Sequence, residues 1–129
     1  MRAEELKGHL DAMLLAALEG GPRHGYAVIE ALRQSTDGRL DLPTGTIYPA
    51  LRRLEQAGLI AGTWSVVGGR RRREYRLTPA GIRALSGRRA AWQDFSAIVT
   101  AALESATRVN AALENAALED TACPSPNPA

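Results

Sequence analysis

The chain has 129 residues, 45% hydrophobic and 23% charged, which is ordinary for one globular domain able to bury a core without disulfide or metal staples. The single cysteine, Cys123, excludes an internal disulfide or a cysteine-rich zinc site; no apolar run approaches the roughly 18–20 residues of a membrane span; and the opening Arg2-Ala3-Glu4-Glu5 does not read as a signal or transit peptide, so a cytoplasmic location is expected. The net charge is only +2, but residues 1–90 carry Lys7 and fourteen arginines against nine acids (+6), while residues 91–129 carry Arg108 against five acids (−4), so a basic body suited to a polyanion precedes a mildly acidic end.

Residues 4–19 read as an amphipathic helix, with Leu6, Leu10, Met13, Leu14, Ala17 and Leu18 at helical spacing. Gly20, Gly21 and Pro22 end it. A second helix over residues 25–35 places Tyr26, Ile29 and Leu32 on one face, and Asp37-Gly38 make the following turn. A third helix covers residues 44–57 and closes at Gly58. From Ile60 the period changes to two. Ile60, Gly62, Trp64 and Val66 alternate with their neighbours, and beyond Gly68-Gly69 and four arginines Tyr75 and Leu77 do the same. This is a β-hairpin pattern. Thr78-Pro79 is a helix start, with threonine as cap and proline in the first position, and the helix runs to about residue 119. The tail from Thr121, with Pro124, Pro126 and Pro128, is expected to be disordered, and Cys123 within it is an exposed bystander. The repeated Asn-Ala-Ala-Leu-Glu of residues 110–114 and 115–119 fits no solenoid period and reads as low-complexity helix.

Helix, helix, helix, hairpin, long helix is the order of a winged helix-turn-helix, in which the third helix enters the DNA major groove and the hairpin is the wing. The third helix bears this out as a pattern. At about 100° per residue, Ile47, Ala50, Leu51, Leu54 and Ala57 share an apolar side, and Tyr48, Pro49, Arg52, Arg53 and Gln56 lie opposite, with Gly45 projecting as Arg52 does. Arginine takes guanine bidentately, glutamine takes adenine, and tyrosine donates to phosphate or stacks. Pro49 is harmless if Thr46 caps the helix. It removes one bond if Thr44 does. In the wing, Arg70, Arg71, Arg72 and Arg73 follow the glycines directly. Such a run is often only a solubilising patch, but between two alternating strands it sets arginines beside a tip that can approach phosphates or a narrow minor groove.

With these residues placed, the sequence resembles the PadR family of bacterial transcriptional regulators. The resemblance rests on Leu14-Leu15-Ala16-Ala17-Leu18 leading into Gly25-Tyr26, on Gly45-Thr46-Ile47-Tyr48-Pro49-Ala50-Leu51-Arg52-Arg53-Leu54-Glu55, on Gly58-Leu59-Ile60, and on Gly69-Arg70-Arg71-Arg72-Arg73-Glu74-Tyr75-Arg76-Leu77-Thr78 with Gly81 after it. It spans residues 10–85 and implies a homodimeric repressor of the smaller subfamily, with a single C-terminal dimerisation helix. The family's Tyr-Pro motif falls on Tyr48 and Pro49, and its basic wing on Arg70 to Arg73. Some small members stack flat aromatic ligands on a tryptophan at the dimer centre. Trp92 with Phe95 falls in a similar place, and Met13, Trp92 and Phe95 are the effector contacts this implies. The alanine-rich stretch after Ala101 departs from the family pattern.

The long helix carries its own signal. Leu85, Trp92 and Val99 recur every seven residues, with Phe95 and Ala102 each three residues after the last two and Leu103 beyond. That is a seam for a second helix, and two-fold pairing is its commonest solution. The expected fold is therefore mainly α: a winged helix-turn-helix with a two-stranded wing over residues 1–78, a dimerisation helix over residues 79–119, and a tail over residues 120–129. The expected DNA contacts are Thr44, Gly45, Thr46, Tyr48, Pro49, Arg52, Arg53, Gln56, Gly69 and Arg70 to Arg73. The dimer contacts are Leu85, Trp92, Phe95, Val99 and Leu103. The partners are double-stranded DNA, a second copy of the chain and a small hydrophobic or aromatic effector, with no membrane. No nucleophile–base pair, paired carboxylates or phosphate loop has context, so no enzyme activity or cofactor is expected. His9 and His24 lack the partners of a metal site. A different class stays open, a winged-helix protein-interaction module, which would have no need of an arginine wing beside an arginine-bearing helix face.

Overall fold

The computed structural model describes residues 8–122, and the side-chain surroundings of all of these but 106–108 and 117–122. Among the described residues four helices and three strands follow one another: α1 (Leu10–Ala17), β1 (Arg23–His24), α2 (Gly25–Ser35), α3 (Thr44–Gln56), β2 (Ile60–Val67), β3 (Arg70–Leu77) and α4 (Pro79–Ala122). They divide into two compact units, Met1–Arg89 and Ala90–Ala129.

The first unit is built around one apolar cluster. Leu14, Leu15 and Leu18 come from the first helical segment, Val28 and Leu32 from α2, Leu40 and Leu42 from the loop after it, and Ile47, Ala50, Leu51 and Leu54 from α3. Ile60, Tyr75 and Leu85 complete it. Removing one such side chain, as in Leu51→Ala, costs about 2–5 kcal/mol, a large part of the stability of a domain of this size.

Three helix readings are corrected at their edges. The first helix is not continuous over residues 4–19. Gly8 has a left-handed φ of 89°, His9 is the N-cap, and the helix starts at Leu10. Leu6 lies outside the described residues. In α2 the buried face is Gly25, Val28 and Leu32, with Ile29 half-buried, whereas Tyr26 is 65% exposed. The true core stripe is set by the four-residue step from Val28 to Leu32. The cap of α3 is Pro43, in extended conformation and with no side-chain bond, so Pro49 sits within the helix and removes the bond to the Gly45 carbonyl.

The end of α3 is sharply defined. Gly58 has φ 77°, the Leu59 N–H bonds to the Leu54 carbonyl at 3.0 Å, and the Gly58 N–H bonds to the Glu55 carbonyl at 3.0 Å. These bonds satisfy carbonyls that the helix leaves open, and the left-handed residue turns the chain toward the sheet.

The sheet has the order β1-β3-β2 and is antiparallel throughout. The wing hairpin pairs from Ile60↔Leu77 to Val67↔Arg70. Its two-residue turn, Gly68 at φ 59° and Gly69 at φ 77°, has the geometry that matches the twist of the flanking strands and favours glycine at both positions. All four arginines of the run are therefore inside β3 and not in the turn. The short β1, with Arg23 opposite Tyr75 and His24 opposite Glu74, was not visible in the pattern. Two residues have no period, and β1 exists because β3 has a free edge beside it.

α4 starts as its sequence signals. The Thr78 hydroxyl accepts the Gly81 N–H at 3.0 Å and donates to the Gly58 carbonyl at 2.6 Å, while the Thr78 N–H bonds to the Leu59 carbonyl at 3.1 Å. Leu85 is 4% exposed, in the core of the first unit. Arg89 reaches Glu19 through two bonds of 3.0 and 3.1 Å, and this guanidinium, by hydrogen bonding and then by charge, holds the Glu19 carboxyl below the usual range. The second unit continues α4 as a single helix with Trp92, Phe95, Ile98, Val99, Leu103, Val109 and Leu113 exposed. The tail prolines and Cys123 lie outside the described residues.

A Cβ at Gly81 would stand 1.9 Å from the Leu59 carbonyl oxygen and 2.9 Å from its carbon. The obstacle is backbone, so it cannot swing aside. Gly81→Ala is expected to destabilise the first unit by about 1–3 kcal/mol, measured by urea unfolding with an unchanged m-value.

Candidate nucleic-acid interface

The outer side of α3 is made of two parallel stripes at four-residue steps. Thr44, Tyr48, Arg52 and Gln56 form one, and Gly45, Pro49 and Arg53 form the other. All seven are exposed, with Thr46 half-buried beside them. On the opposite side Ile47, Ala50, Leu51 and Leu54 are buried in the core, whereas Ala57, expected to join them, is the exposed C-cap.

Tyr48 is held rather than free. Its ring occupies the space where a Cβ on Gly25 would be, with ring and hydroxyl atoms 2.5 Å from that point. Tyr26 meets it edge to face, with centroids 6.4 Å apart and planes at 79°. Burial pushes the Tyr48 hydroxyl above the usual tyrosine value, and Tyr26 and Tyr75 add to this. The group is thus a fixed, protonated donor near neutral pH. Gly45 differs. Its backbone is not left-handed and nothing lies within 4 Å of where a Cβ would be, so no contact within the chain demands a glycine there.

The wing arginines divide by face. The register puts Arg71 and Arg73 on the side of Gly62, Trp64, Val66, Tyr75 and Ile60, and Arg70 and Arg72 on the other. Gly69 forms part of the exposed tip, and Arg70, Arg71 and Arg72 are exposed. Arg73 is not available in the same way. Its guanidinium makes a close ion pair with Glu55 of α3, whose same carboxylate oxygen accepts the Gly62 N–H at 3.2 Å. Gly62 is small for this reason. A Cβ there would stand 2.7 Å from the Arg73 Nε. Arg73 is therefore better placed as a strut between recognition helix and wing than as a phosphate contact. Arg53 is also engaged, pairing with Asp11 of α1 at 3.5 Å on the surface, a weak tie for two exposed groups.

Several functional positions escaped the sequence pattern. Gly25 lies in a different helix from the tyrosine it accommodates. Glu55 is on α3 but turned toward the wing. Trp64, 59% exposed, carries Arg71 over its ring at 4.7 Å and Arg73 at 5.4 Å. The alternation of β2 was the signal that could have joined Trp64 to these arginines. Of the other expected residues, Met13 packs against the first unit's core, and Leu85 is buried inside that core, so it has almost no surface left for a partner chain. Trp92, Phe95, Val99 and Leu103 are exposed on the second unit. Among the described residues no group of three or more His, Cys, Asp or Glu could hold a metal ion, and no helix is long and apolar enough to cross a membrane.

A three-helix core, a two-stranded wing joined at its base by β1, and an arginine-bearing third helix beside that wing define a winged helix-turn-helix protein. Residues 14–87 match the family model of the transcriptional regulator PadR-like family. The chain belongs to this family, whose members are transcriptional regulators and not enzymes. The transcriptional regulator Rv3488 of Mycobacterium tuberculosis is 42% identical over 74 residues, which is 57% of this chain and 56% of that protein. A PadR family transcriptional regulator from Eggerthella lenta superposes with a TM-score of 0.67 at 34% identity, over 78% of this chain and 87% of that one. A transcriptional regulator from Clostridium thermocellum gives 0.70 at 28% identity, over 76% and 96%.

The strut is open to a direct check. Arg73→Ala and Glu55→Ala are each expected to lower stability by about 1 kcal/mol, and the double variant by little more than either alone, because each removes the same half-buried pair. Fully additive losses in thermal unfolding would contradict it.

Proposed function

We propose that this PadR-family regulator is a homodimeric repressor of a palindromic promoter site, released by a small flat aromatic or hydrophobic effector. Residues of the first unit contact DNA. Tyr48, Arg52 and Gln56 face base edges from the major groove, Thr44, Gly45, Thr46 and Pro49 lie against the backbone, and Arg53 with Gly69 to Arg72 meets phosphates. The observation that carries this reading is the pairing of an exposed Tyr-Arg-Gln stripe on α3 with an arginine hairpin joined to the same helix through Glu55 and Arg73. Helix and wing are thereby presented together, and less ordering is left to be done on binding. The unfilled space at Gly45 supports close approach of a backbone there.

Dimerisation is assigned to α4 of the second unit. Trp92, Phe95, Val99 and Leu103 lie at helical spacing and make an exposed apolar stripe on this helix. A two-fold dimer carries two copies of the recognition helix, as a palindromic site requires. Trp92 and Phe95, with ring centroids 6.1 Å apart and tilted by 41°, are the aromatic pair on which an effector would stack.

Fluorescence anisotropy on the chain's own upstream promoter region and on a scrambled duplex, at several salt concentrations, tests the reading. Preference for the promoter is expected, and equal weak binding to both would contradict sequence-specific regulation. Arg52→Ala is expected to cost about 1–3 kcal/mol on the promoter and to relax preference at one base pair. Arg71→Ala should weaken both duplexes alike and reduce the salt slope by about 0.9. Val99→Glu is expected to give monomers in sedimentation at concentrations where the wild type is dimeric. If effector stacking is correct, quenching of tryptophan emission by flat aromatic compounds disappears in Trp92→Ala.

A further inference from the structure

The core-side face of the wing continues past the core. Ile60 and Tyr75 are buried on it, but the register carries the same face outward through Gly62, Trp64 and Val66 on β2 and through Arg73 and Arg71 on β3. Trp64 and Val66 are 59% and 70% exposed there. An indole in the middle of a strand pair otherwise rich in arginine is not needed for folding, since the core closes without it.

The two guanidiniums over the indole are not equivalent. Arg73, at 5.4 Å, is engaged with Glu55. Arg71, at 4.7 Å, lies closer to the ring, and among the described residues it forms no ion pair with a carboxylate. The stack restricts a long side chain that would otherwise sample many rotamers. The hairpin as a whole carries Arg70 to Arg73 and Arg76 against Glu74 alone. An apolar protein surface docking on Trp64 would have to desolvate these cations. A duplex offers what this face lacks, apolar deoxyribose rings alternating with phosphates.

We propose that Trp64 and Arg71 act as one DNA-contacting unit on the wing, with the indole packed against the deoxyribose wall of the groove and holding the guanidinium in place for a phosphate. The inference rests on the DNA-binding reading above and adds a contact that carries no base information. Trp64 thus strengthens binding to all sequences, while α3 selects among them.

The chain has two tryptophans, Trp64 and Trp92, so an emission change that the wild type shows and Trp64→Phe lacks belongs to Trp64. Titrating both full-length chains with a random-sequence duplex at low salt should show such a change, with the same midpoint as anisotropy in the wild type. Trp64→Ala should unfold at the wild-type temperature and bind promoter and random duplex about five- to tenfold more weakly, the loss expected for one ordered contact. Trp64→Phe should recover part of that loss. The double variant Trp64→Ala, Arg71→Ala should bind more weakly than Arg71→Ala alone, but by less than the product of the two single losses, because Trp64 makes its own contact and also orders Arg71. Unchanged Trp64 emission on a duplex that anisotropy shows to be bound, or wild-type affinity of Trp64→Ala, would overturn the proposal while leaving the regulator reading intact. A wild-type chain that ignores duplex DNA at low salt would overturn both.

Discussion

The carbonyls of Gly58 and Leu59 take hydrogen bonds from the hydroxyl and the N–H of Thr78, and the whole wing hangs between these two ends. The chain leaves the recognition helix at this corner, runs out along β2, returns along β3 and starts α4 where it left. Gly81 completes the corner by bringing the first turn of α4 against the Leu59 backbone, closer than any side chain would allow. The direction of the hairpin relative to α3 is thus fixed at its root by backbone bonds, and the Glu55–Arg73 pair fixes it again further out. Two attachments along one hairpin restrict rotation in a way that one cannot.

The same corner explains how the arginines acquire different roles. In the sequence they are a run of one residue type. The pleat separates Arg71 and Arg73 from Arg70 and Arg72. A carboxylate from another element then claims Arg73, and an aromatic ring from the facing strand orders Arg71. Elsewhere Arg89 is taken by Glu19, while Arg53 is only weakly tied to Asp11. The positive balance of the first ninety residues is therefore not one uniform field. Part of it is structural, and the rest is left for a polyanion.

The elements with strong periodicity were legible in the sequence. α3 could be read because Ile47, Ala50, Leu51 and Leu54 repeat cleanly and Gly58 ends the pattern, and the hairpin because the period changes at Ile60. The Thr78-Pro79 start was legible because its cap is local. What could not be read depends on contacts between distant elements. β1 is formed by the edge of β3. Tyr26 fits a helical face in sequence but stays outside, because Tyr48 fills the space over Gly25. Leu85 falls on a heptad with Trp92 and Val99, yet it is claimed by the core of its own unit. Arg73 reads as one of four equivalent cations until the position of Glu55 is known. Pattern gives the period of an element, and neighbours decide which part of it is used.

Gly81 is locked by the Leu59 backbone that lies against it, whereas the side chains of Arg52 and Gln56 point away from the core. Substitutions therefore fall into two classes with very different consequences for a lineage. A change at Gly81 threatens the fold before any regulatory effect can be selected. Changes at Arg52 and Gln56 leave the scaffold standing and, on the DNA-binding reading proposed above, alter only what is recognised. On that reading a gene duplicate can drift to a new operator through those two positions, one codon at a time, without first acquiring compensating stability.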